Sequence, residues 1–134
     1  MNNNRKRALV TGGAGFIGSN IVKYLTEENW YVRVVDNLSS GYAVNLDGLN
    51  TDFVKGDICN GDLMLELCEK VDVVFHLAAS VGRQKSLEFP QQDSATNLLG
   101  TINLLEAIRL KGVKRLVYSS SAAIYGELES STIA

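Results

Sequence analysis

The sequence predicts a doubly wound α/β domain, in which a parallel sheet carries helices on both faces. Strand-like and helix-like segments alternate along the chain, and the strand segments are rich in Val, Leu and Ile without polar alternation. Strands of that kind are buried on both faces, which is typical of parallel sheets. A glycine-rich turn also joins the first strand to the first helix. Right-handed crossovers then place a ligand at the carboxyl edge of the strands.

The first part of the chain predicts a strand, a helix, a second strand and a loop. Residues 5–11 contain an uninterrupted apolar run and predict strand one. Residues 15–28 predict helix one, because their apolar residues recur at helical spacing. Residues 31–36 form a second apolar run and predict strand two. The polar, glycine-bearing stretch 37–50 predicts a loop that holds one turn of helix at most.

The rest of the chain continues the alternation. Leu63, Leu67 and Cys68 give helix two an inward-facing stripe, and Gly112 ends helix three. In chain order, the expected elements are strand three over 52–55, helix two over 60–70, strand four over 71–76, a long loop over 78–93, helix three over 94–111 and strand five over 114–119.

Length and composition indicate one ordinary globular domain over residues 1–134. Apolar residues make up 46% of the chain and charged residues 21%, so the chain can bury a substantial core. The net charge of −2 and the lack of a basic stripe argue against nucleic acid as the main partner. No apolar run has the length of a signal peptide or a membrane span, so no membrane partner is expected.

Two cysteines and a single histidine restrict metal and redox chemistry. Cys59 and Cys68 lack the spacing of metal ligands, so no metal site is expected. Both are predicted to be thiols in or near the core, which is typical of a reducing, cytoplasmic location. His76 has no Cys, His or carboxylate at ligand spacing and is predicted to be structural.

The glycine-rich turn has the features of a dinucleotide-binding loop. We expect Gly12 to permit the tight turn, Gly15 to let the backbone approach a diphosphate, and Gly18 to let the helix lie against the strands. The unpaired N–H groups of the following helix would then attract the anion. The strand, the helix and a later acidic residue make this interpretation stronger than a merely flexible turn. The motif reads Thr11-Gly12-Gly13-Ala14-Gly15-Phe16-Ile17-Gly18.

That acidic residue is Asp36, at the carboxyl end of strand two. It lies 18 positions after Gly18, near the offset of ~20 residues expected for a carboxylate that binds the adenosine ribose. A carboxylate there favours NAD and repels the additional phosphate of NADP. The alternative is an ordinary solvated Asp at a strand end.

Polar and small residues follow the other strands at the same edge. Asp57 is expected to accept a hydrogen bond from an adenine amino group while Ile58 packs on the ring. The alternative role of Asp57, capping helix two, suits Asn60 better. Asn97 is expected to tie its amide to neighbouring backbone, and Ser119 begins a run of three serines where the reactive part of a ligand would lie.

Helix three carries more apolar residues than one face of a surface helix needs. The surplus suggests a sheet on one side and a second helix on the other, contributed by a second subunit or by a segment absent from this chain. Burial inside its own domain explains the pattern equally well. The apolar residues are Leu98, Leu99, Ile102, Leu104, Leu105, Ala107, Ile108 and Leu110.

In combination, these motifs resemble the NAD-dependent epimerases and dehydratases of nucleotide sugars, which are extended short-chain dehydrogenase/reductases, and most nearly the UDP-glucose 4-epimerase-like members. They occur in family order and cover residues 6–126. The matching pieces are the glycine-rich turn, Asp36-Asn37-Leu38-Ser39-Ser40-Gly41, Gly56-Asp57-Ile58, His76-Leu77-Ala78-Ala79, Asn97-Leu98-Leu99-Gly100-Thr101 and Ser119-Ser120-Ser121-Ala122-Ala123-Ile124-Tyr125-Gly126.

The resemblance implies a Rossmann-type sheet of about five strands in the order 3-2-1-4-5, with NAD as cofactor and a nucleotide sugar as the partner of the family. Phe16 and Ile17 would lie by the diphosphate, and Leu77 by the nicotinamide half. Ser121 matches the catalytic serine or threonine that binds the reacting sugar hydroxyl. The expected cofactor-binding residues are Gly12, Gly15, Phe16, Ile17, Gly18, Asp36, Asn37, Ser40, Asp57, Ile58, Leu77, Ala78, Ala79, Asn97 and Ser119.

The sequence departs from the family at its central catalytic pair, Tyr-x-x-x-Lys. None of the five tyrosines has a lysine four positions later, and the 127–134 tail lacks the usual continuation. We therefore expect an incomplete NAD-binding domain that does not catalyse epimerisation by itself. Two alternatives remain: a non-catalytic nucleotide-binding or regulatory module that forms a homo-oligomer through the helix beginning at Ser94, and one half of a two-chain enzyme.

Overall fold

Five strands form one parallel sheet in the order β3-β2-β1-β4-β5. The computed structural model describes residues 5–126. Residues 1–4 and 127–134 lie outside the described residues, and so does the departure from the family sequence pattern expected over 127–134. The order agrees with the expected 3-2-1-4-5 and identifies a Rossmann-type, doubly wound sheet. The strands are β1 (Arg7–Thr11), β2 (Tyr31–Asp36), β3 (Thr51–Lys55), β4 (Val73–His76) and β5 (Arg115–Tyr118).

Helices connect the strands in the expected alternation. A 3₁₀ turn over Ala43–Leu46 is the single helical turn expected in the loop after β2, and a second 3₁₀ turn covers Ala122–Tyr125. The α-helices are α1 (Phe16–Glu27), α2 (Gly61–Leu67), α3 (Arg83–Glu88), α4 (Pro90–Ser94) and α5 (Thr101–Lys111), with a π-helical segment over Ala95–Gly100 between α4 and α5.

The loop expected over 78–93 is wrong for most of its length, because it contains α3 and α4. Neither helix has a buried residue, so neither shows the apolar periodicity by which helices are found in a sequence. Pro90 occupies the first turn of α4, where its missing N–H costs nothing. The helix expected to begin at Ser94 therefore begins at Pro90 and continues through the π-helical segment into α5.

Strand β2 has the expected bounds and α5 ends where helix three was expected to end, whereas the remaining boundaries differ by at most three residues. Strand β1 begins at Arg7 and β4 at Val73, while α2 is shorter than expected and is followed by Lys70 in the left-handed region, with φ 57°. Gly112 ends α5 in the left-handed conformation, with φ 68°. This confirms the expected glycine stop, because a Cβ is unfavourable in that conformation.

The sheet separates two apolar layers, as its uninterrupted strand sequences require. Leu9, on β1, points to the layer formed by α2 and α5, whereas Ala8 and Val10 point to the layer formed by α1. All three side chains are fully buried. Successive residues of one strand therefore fill opposite layers, which confirms that both faces of the sheet are covered.

The apolar surplus of helix three faces solvent in this chain. Leu104 and Ala107 are buried beside α2 and the sheet, whereas five other large apolar residues of the expected helix three are 44–63% exposed. These exposed residues, which we call the α5 apolar face, are Leu98, Leu99, Ile102, Leu105 and Leu110. Within residues 5–126, no helix has both the length and the hydropathy needed to cross a membrane.

Candidate functional site

The glycine-rich turn connects β1 to α1 at the carboxyl edge of the sheet. Gly12 has φ +69°, and its N–H donates to the Val35 carbonyl oxygen at 2.8 Å. A Cβ on Gly12 would lie 2.7 Å from the main-chain nitrogen of Ala78. Both the dihedral angle and the contact with the segment after β4 therefore require glycine, which agrees with the tight turn expected there.

Gly15 and Gly18 have different surroundings. A Cβ on Gly15 would have one near neighbour, the Gly12 carbonyl oxygen at 3.3 Å, and the rest of its surroundings are open. A Cβ on Gly18 would lie 2.2 Å from that same oxygen, so Gly18 packs against the turn, whereas the expected contact was with the strands. Gly15 is the N-cap of α1 and no side chain caps that helix, so the N–H groups of its first turn face the open space.

Asp36 links the glycine-rich turn to the loop after β2. Its Oδ2 accepts the Ala14 N–H at 3.0 Å, and its Oδ1 accepts the Leu38 N–H at 2.8 Å. The residue is only 8% exposed, so the alternative of a solvated Asp is wrong. Each carboxylate oxygen retains acceptor capacity for a further donor, such as a ribose hydroxyl.

A cavity of about 280 Å³ opens between the ends of β1, β2 and β3. Asp57 lies in its wall, where it accepts the Cys59 N–H at 2.8 Å and the Asn37 side-chain amide at 2.9 Å. These two hydrogen bonds hold the pKa of the Asp57 carboxyl below its usual value. Of the expected binding residues, this cavity gathers Gly12, Gly15, Asp36, Asn37, Ser40, Asp57, Ile58, Leu77, Ala78 and Ala79.

Asn60 and Ile58 clarify the role of the segment after β3. The Asn60 side chain accepts the Leu63 N–H at 3.1 Å and is the N-cap of α2, which leaves the Asp57 carboxylate for the cavity. Ile58 is only 4% exposed, and a Cβ on Gly100 would lie 2.6 Å from it. Most of the Ile58 side chain therefore fills the core, and only its edge borders the cavity.

A second, larger cavity of about 1190 Å³ continues from the first towards β5. Gly12, Gly15 and the segment from Leu77 to Ala79 line both cavities, so the two form one crevice that passes over the glycine-rich turn. Of the expected residues, Phe16, Ile17, Gly18, Asn97, Ser119 and Ser121 line the second cavity.

Two expected site residues in the second cavity are engaged by main chain. The Asn97 amide exchanges hydrogen bonds with Ser80, accepting its N–H at 2.8 Å and donating to its carbonyl at 3.0 Å. Hydrogen bonds from Asn97 to neighbouring main chain were expected, and these two hold the loop after β4. The Ser121 hydroxyl accepts the Ala123 N–H at 3.1 Å and caps the second 3₁₀ turn.

His76 lies beneath the crevice with both ring nitrogens engaged, as expected for a structural residue. Its Nδ1 is 2.6 Å from the Thr11 hydroxyl, and its Nε2 is 3.0 Å from the Thr101 hydroxyl. Burial lowers the pKa of the imidazole from 6.5 to about 4, so the ring is neutral at pH 7.

Several residues that complete the crevice belong to none of the motifs recognised in the sequence. Lys85 and Gln92 line the first cavity from α3 and α4, in the stretch that was expected to be a loop, and Thr96 lines it from the π-helical segment. Asn45 donates its side-chain amide to the Ala14 carbonyl at 2.8 Å and braces the turn from the loop after β2. Proline at a first helical position was the available signal for the helix at Pro90.

Among residues 5–126, no group of three or more His, Cys, Asp or Glu side chains is arranged to hold a metal ion.

Comparisons with known proteins agree with this geometry. A sequence model of the NAD dependent epimerase/dehydratase family matches residues 8–133. The UDP-glucose 4-epimerase of Mycolicibacterium smegmatis is 46% identical over 126 residues, which are 90% of this chain and 40% of that protein. The putative UDP-glucose 4-epimerase of Methanocaldococcus jannaschii is 46% identical over 121 residues, 89% of this chain and 39% of that protein.

Solved structures of similar proteins have the same fold. UDP-glucose 4-epimerase from Thermus thermophilus, solved in complex with NAD, has a TM-score of 0.86 and 41% identity, over 96% of this chain and 42% of that one. UDP-glucose 4-epimerase from Thermotoga maritima, solved with UDP-glucose, has a TM-score of 0.86 and 41% identity, over 92% of this chain and 41% of that one. The chain thus spans about 40% of the length of these relatives.

Proposed function

This chain belongs to the NAD dependent epimerase/dehydratase family, and on that premise we propose that it forms the NAD-binding portion of a nucleotide-sugar epimerase or dehydratase. The observation that carries the proposal is the crevice over the glycine-rich turn, where a glycine-only turn, an uncapped helix and a buried carboxylate meet. The proposed NAD-binding domain comprises residues 1–134.

We place the diphosphate of NAD over Gly12 and Gly15, beside the first turn of α1. Gly15 supports this placement, because a Cβ there would have the Gly12 carbonyl oxygen as its one near neighbour and would otherwise extend into open space. The first-turn N–H groups and the helix dipole would stabilise the two negative charges. Phe16 and Ile17, which are exposed at the start of α1, would border the diphosphate.

The adenosine half would occupy the smaller cavity. Asp36 would accept a ribose hydroxyl hydrogen bond with the acceptor capacity that Ala14 and Leu38 leave free. Asn37 and Ser40 would border the same ribose, and Asp57 would accept from the adenine amino group. Two carboxylates in one cavity disfavour an additional phosphate, so we expect NAD to bind more tightly than NADP.

The nicotinamide half would extend into the larger cavity, beside Leu77, Ala78 and Ala79. NAD supplies reversible hydride transfer when it is bound. Ser119 would lie near the nicotinamide end, and Ser121 would hold the reacting hydroxyl of a nucleotide sugar. Because Ser121 already accepts a main-chain N–H, its own hydroxyl hydrogen is free to be donated to that sugar oxygen.

Calorimetric titration with NAD and NADP tests the cofactor proposal. Gly15→Val would place a branched side chain in the diphosphate site at an extended residue with φ −75°, which valine adopts readily. We expect the wild-type chain to bind NAD and Gly15→Val to lose binding while it remains folded. Gly61→Val is the matched control, because the nearest atoms to a Cβ there are 3.7 Å away in the Asn103 side chain. Absent binding by the wild-type chain, or equal binding by both variants, would contradict the proposal.

A second candidate is a non-catalytic nucleotide-binding module, or one half of a two-chain enzyme. The observation that favours it is the α5 apolar face, which is uncovered among the described residues. General acid–base help of roughly 10²–10⁴-fold would be missing without a Tyr-x-x-x-Lys pair, so we expect no epimerisation of UDP-glucose by this chain alone. A defined homo-oligomer in sedimentation experiments would favour the module, whereas a monomer or an aggregate would favour the first proposal.

A further inference from the structure

A chain of side-chain hydrogen bonds crosses the floor of the crevice through His76. It begins at the turn after β4, where the Ala78 N–H donates to the Thr11 hydroxyl oxygen at 3.2 Å. The Leu77 N–H is shared between that hydroxyl oxygen at 3.2 Å and the Thr11 carbonyl oxygen at 3.1 Å. It ends at the π-helical segment, where the Thr101 hydroxyl donates to the Asn97 carbonyl at 2.8 Å. Both hydroxyls contact the imidazole between them.

The hydrogen count assigns the tautomer of the ring. Because the Thr11 hydroxyl oxygen accepts the Ala78 N–H and shares the Leu77 N–H, its own hydrogen is available to Nδ1 of His76, which favours Nδ1 as the unprotonated nitrogen. The hydrogen of the Thr101 hydroxyl is directed at a carbonyl, so that hydroxyl receives a hydrogen from Nε2. A neutral ring with its hydrogen on Nε2 satisfies every partner.

The surroundings of the ring favour this arrangement of partners over the opposite tautomer. His76 is 2% exposed, and among the described residues no buried side-chain nitrogen or oxygen lacks a hydrogen-bond partner. The opposite tautomer would require the Thr11 hydroxyl oxygen to accept a hydrogen from Nδ1 in addition to the Ala78 and Leu77 N–H groups. It would also leave Nε2 facing a hydroxyl whose hydrogen is committed to Asn97.

Both ends of the chain of hydrogen bonds lie in the walls of the crevice. At one end, the Ala78 nitrogen is the atom against which Gly12 packs, so Thr11 fixes the distance between the glycine-rich turn and β4. At the other end, Asn97 holds Ser80 by two hydrogen bonds. His76 thus connects the two segments that line the larger cavity.

We propose that His76, fixed as the neutral Nε2–H tautomer, is a positioning residue that joins Thr11 to Thr101 and so sets the width of the crevice on its nicotinamide side. The assignment of the tautomer is independent of any ligand. The effect on the crevice rests on the proposed NAD-binding function.

The tautomer is measurable in the ligand-free chain. His76 is the only histidine, so the ring nitrogens of the ¹⁵N-labelled chain give one unambiguous pair of signals. At pH 7 we expect Nδ1 to have the shift of an unprotonated nitrogen and Nε2 that of a protonated one. A protonated Nδ1, or an average of the two tautomers, would overturn the proposal, whether or not the chain binds NAD.

Variants of Thr101 test the positioning role. Thr101→Val removes the acceptor of Nε2 at nearly constant volume, and Thr101→Ser restores it. We expect Thr101→Val to populate the other tautomer, to increase amide exchange at Leu77 and Ala78, and to weaken NAD binding about tenfold. Thr101→Ser should behave as the wild type.

Thr26→Val is the matched control, because the Thr26 hydroxyl is exposed on α1 and donates to the Lys23 carbonyl. Unchanged NAD affinity in a Thr101→Val chain with altered tautomer populations would overturn the positioning role. If the wild-type chain fails to bind NAD, the proposed function fails instead, and the ring signals still decide the tautomer. If Thr101→Val does not fold, the wild-type ring signals and the Thr101→Ser variant decide the question.

Discussion

Replacement of Asp36 by arginine separates two accounts of this carboxylate. If Asp36 serves only to repel the additional phosphate of NADP, then Asp36→Arg should reverse the cofactor preference and leave the fold intact. The structure gives the carboxylate a second task, because it accepts the N–H groups of Ala14 and Leu38. Arginine offers no acceptor, so both N–H groups would lose their partner.

The magnitude follows from those two hydrogen bonds. A hydrogen bond to a charged group contributes about 1.5–3 kcal/mol, so losing both lowers the free energy of unfolding by about 3–6 kcal/mol. A domain of this size has about 5–15 kcal/mol in total. We therefore expect Asp36→Arg to be severely destabilised and to bind neither cofactor tightly. Asp36→Asn retains one acceptor oxygen and should lose about half as much.

Urea unfolding followed by the fluorescence of Trp30, the only tryptophan, measures the stability of each variant. Calorimetric titration with NAD and NADP measures the preference. Asp47→Arg is the matched control, since Asp47 is exposed and the same change there should leave the midpoint within the range of surface substitutions. An Asp36→Arg chain with the wild-type urea midpoint and tighter binding of NADP than NAD would refute the reasoning.

Three further predictions concern stability, charge and pH. Gly18→Ala should cost about 1–3 kcal/mol in urea unfolding, because its Cβ would lie 2.2 Å from a main-chain oxygen, whereas the same change at Gly61 should be neutral. Lys85→Gln should weaken NAD binding and reduce its salt dependence in titrations at several ionic strengths. The reason is charge, because Lys85 is the one positively charged side chain among the described residues that line the smaller cavity. His76 has a pKa lowered from 6.5 to about 4, so the folded state resists its protonation; stability should be complete above pH 6.5 and fall by up to about 3 kcal/mol as the pH drops through 4. His76→Gln, which does not titrate, should lack that component in pH-dependent unfolding.

Much of the fold could be predicted because its elements depend on local sequence. The apolar runs of β1 and β2 are buried on both faces, so their composition identifies them without knowledge of the neighbours. Gly12 and Gly112 have positive φ, and glycine adopts such angles at no steric cost. These features require one residue type at one place, and a single sequence reveals them.

The helices α3 and α4 could not be predicted in this way, because they bury no side chain. Without an apolar stripe, a polar helix and a polar loop have similar sequences. The consequence reaches the site, since Lys85 lines the smaller cavity from α3. The second task of Asp36 was also hidden, because its partners are main-chain N–H groups that no side-chain pattern specifies.

Two of the buried polar residues of the crevice share one physical arrangement. Asp36, at the end of β2, accepts main-chain N–H groups from the glycine-rich turn and from the loop after β2. His76, at the end of β4, forms hydrogen bonds with a hydroxyl group of the glycine-rich turn and with one of α5. A parallel sheet aligns its strand ends along one edge, so polar residues there can connect consecutive loops across the central strand β1. The same groups that stabilise the loops therefore fix the positions of the crevice walls. Substitutions at Asp36 and His76 should accordingly change stability and ligand affinity together. Gly15→Val should change affinity far more than stability, because a Cβ there has one tight neighbour, the Gly12 carbonyl oxygen at 3.3 Å, and otherwise borders open space.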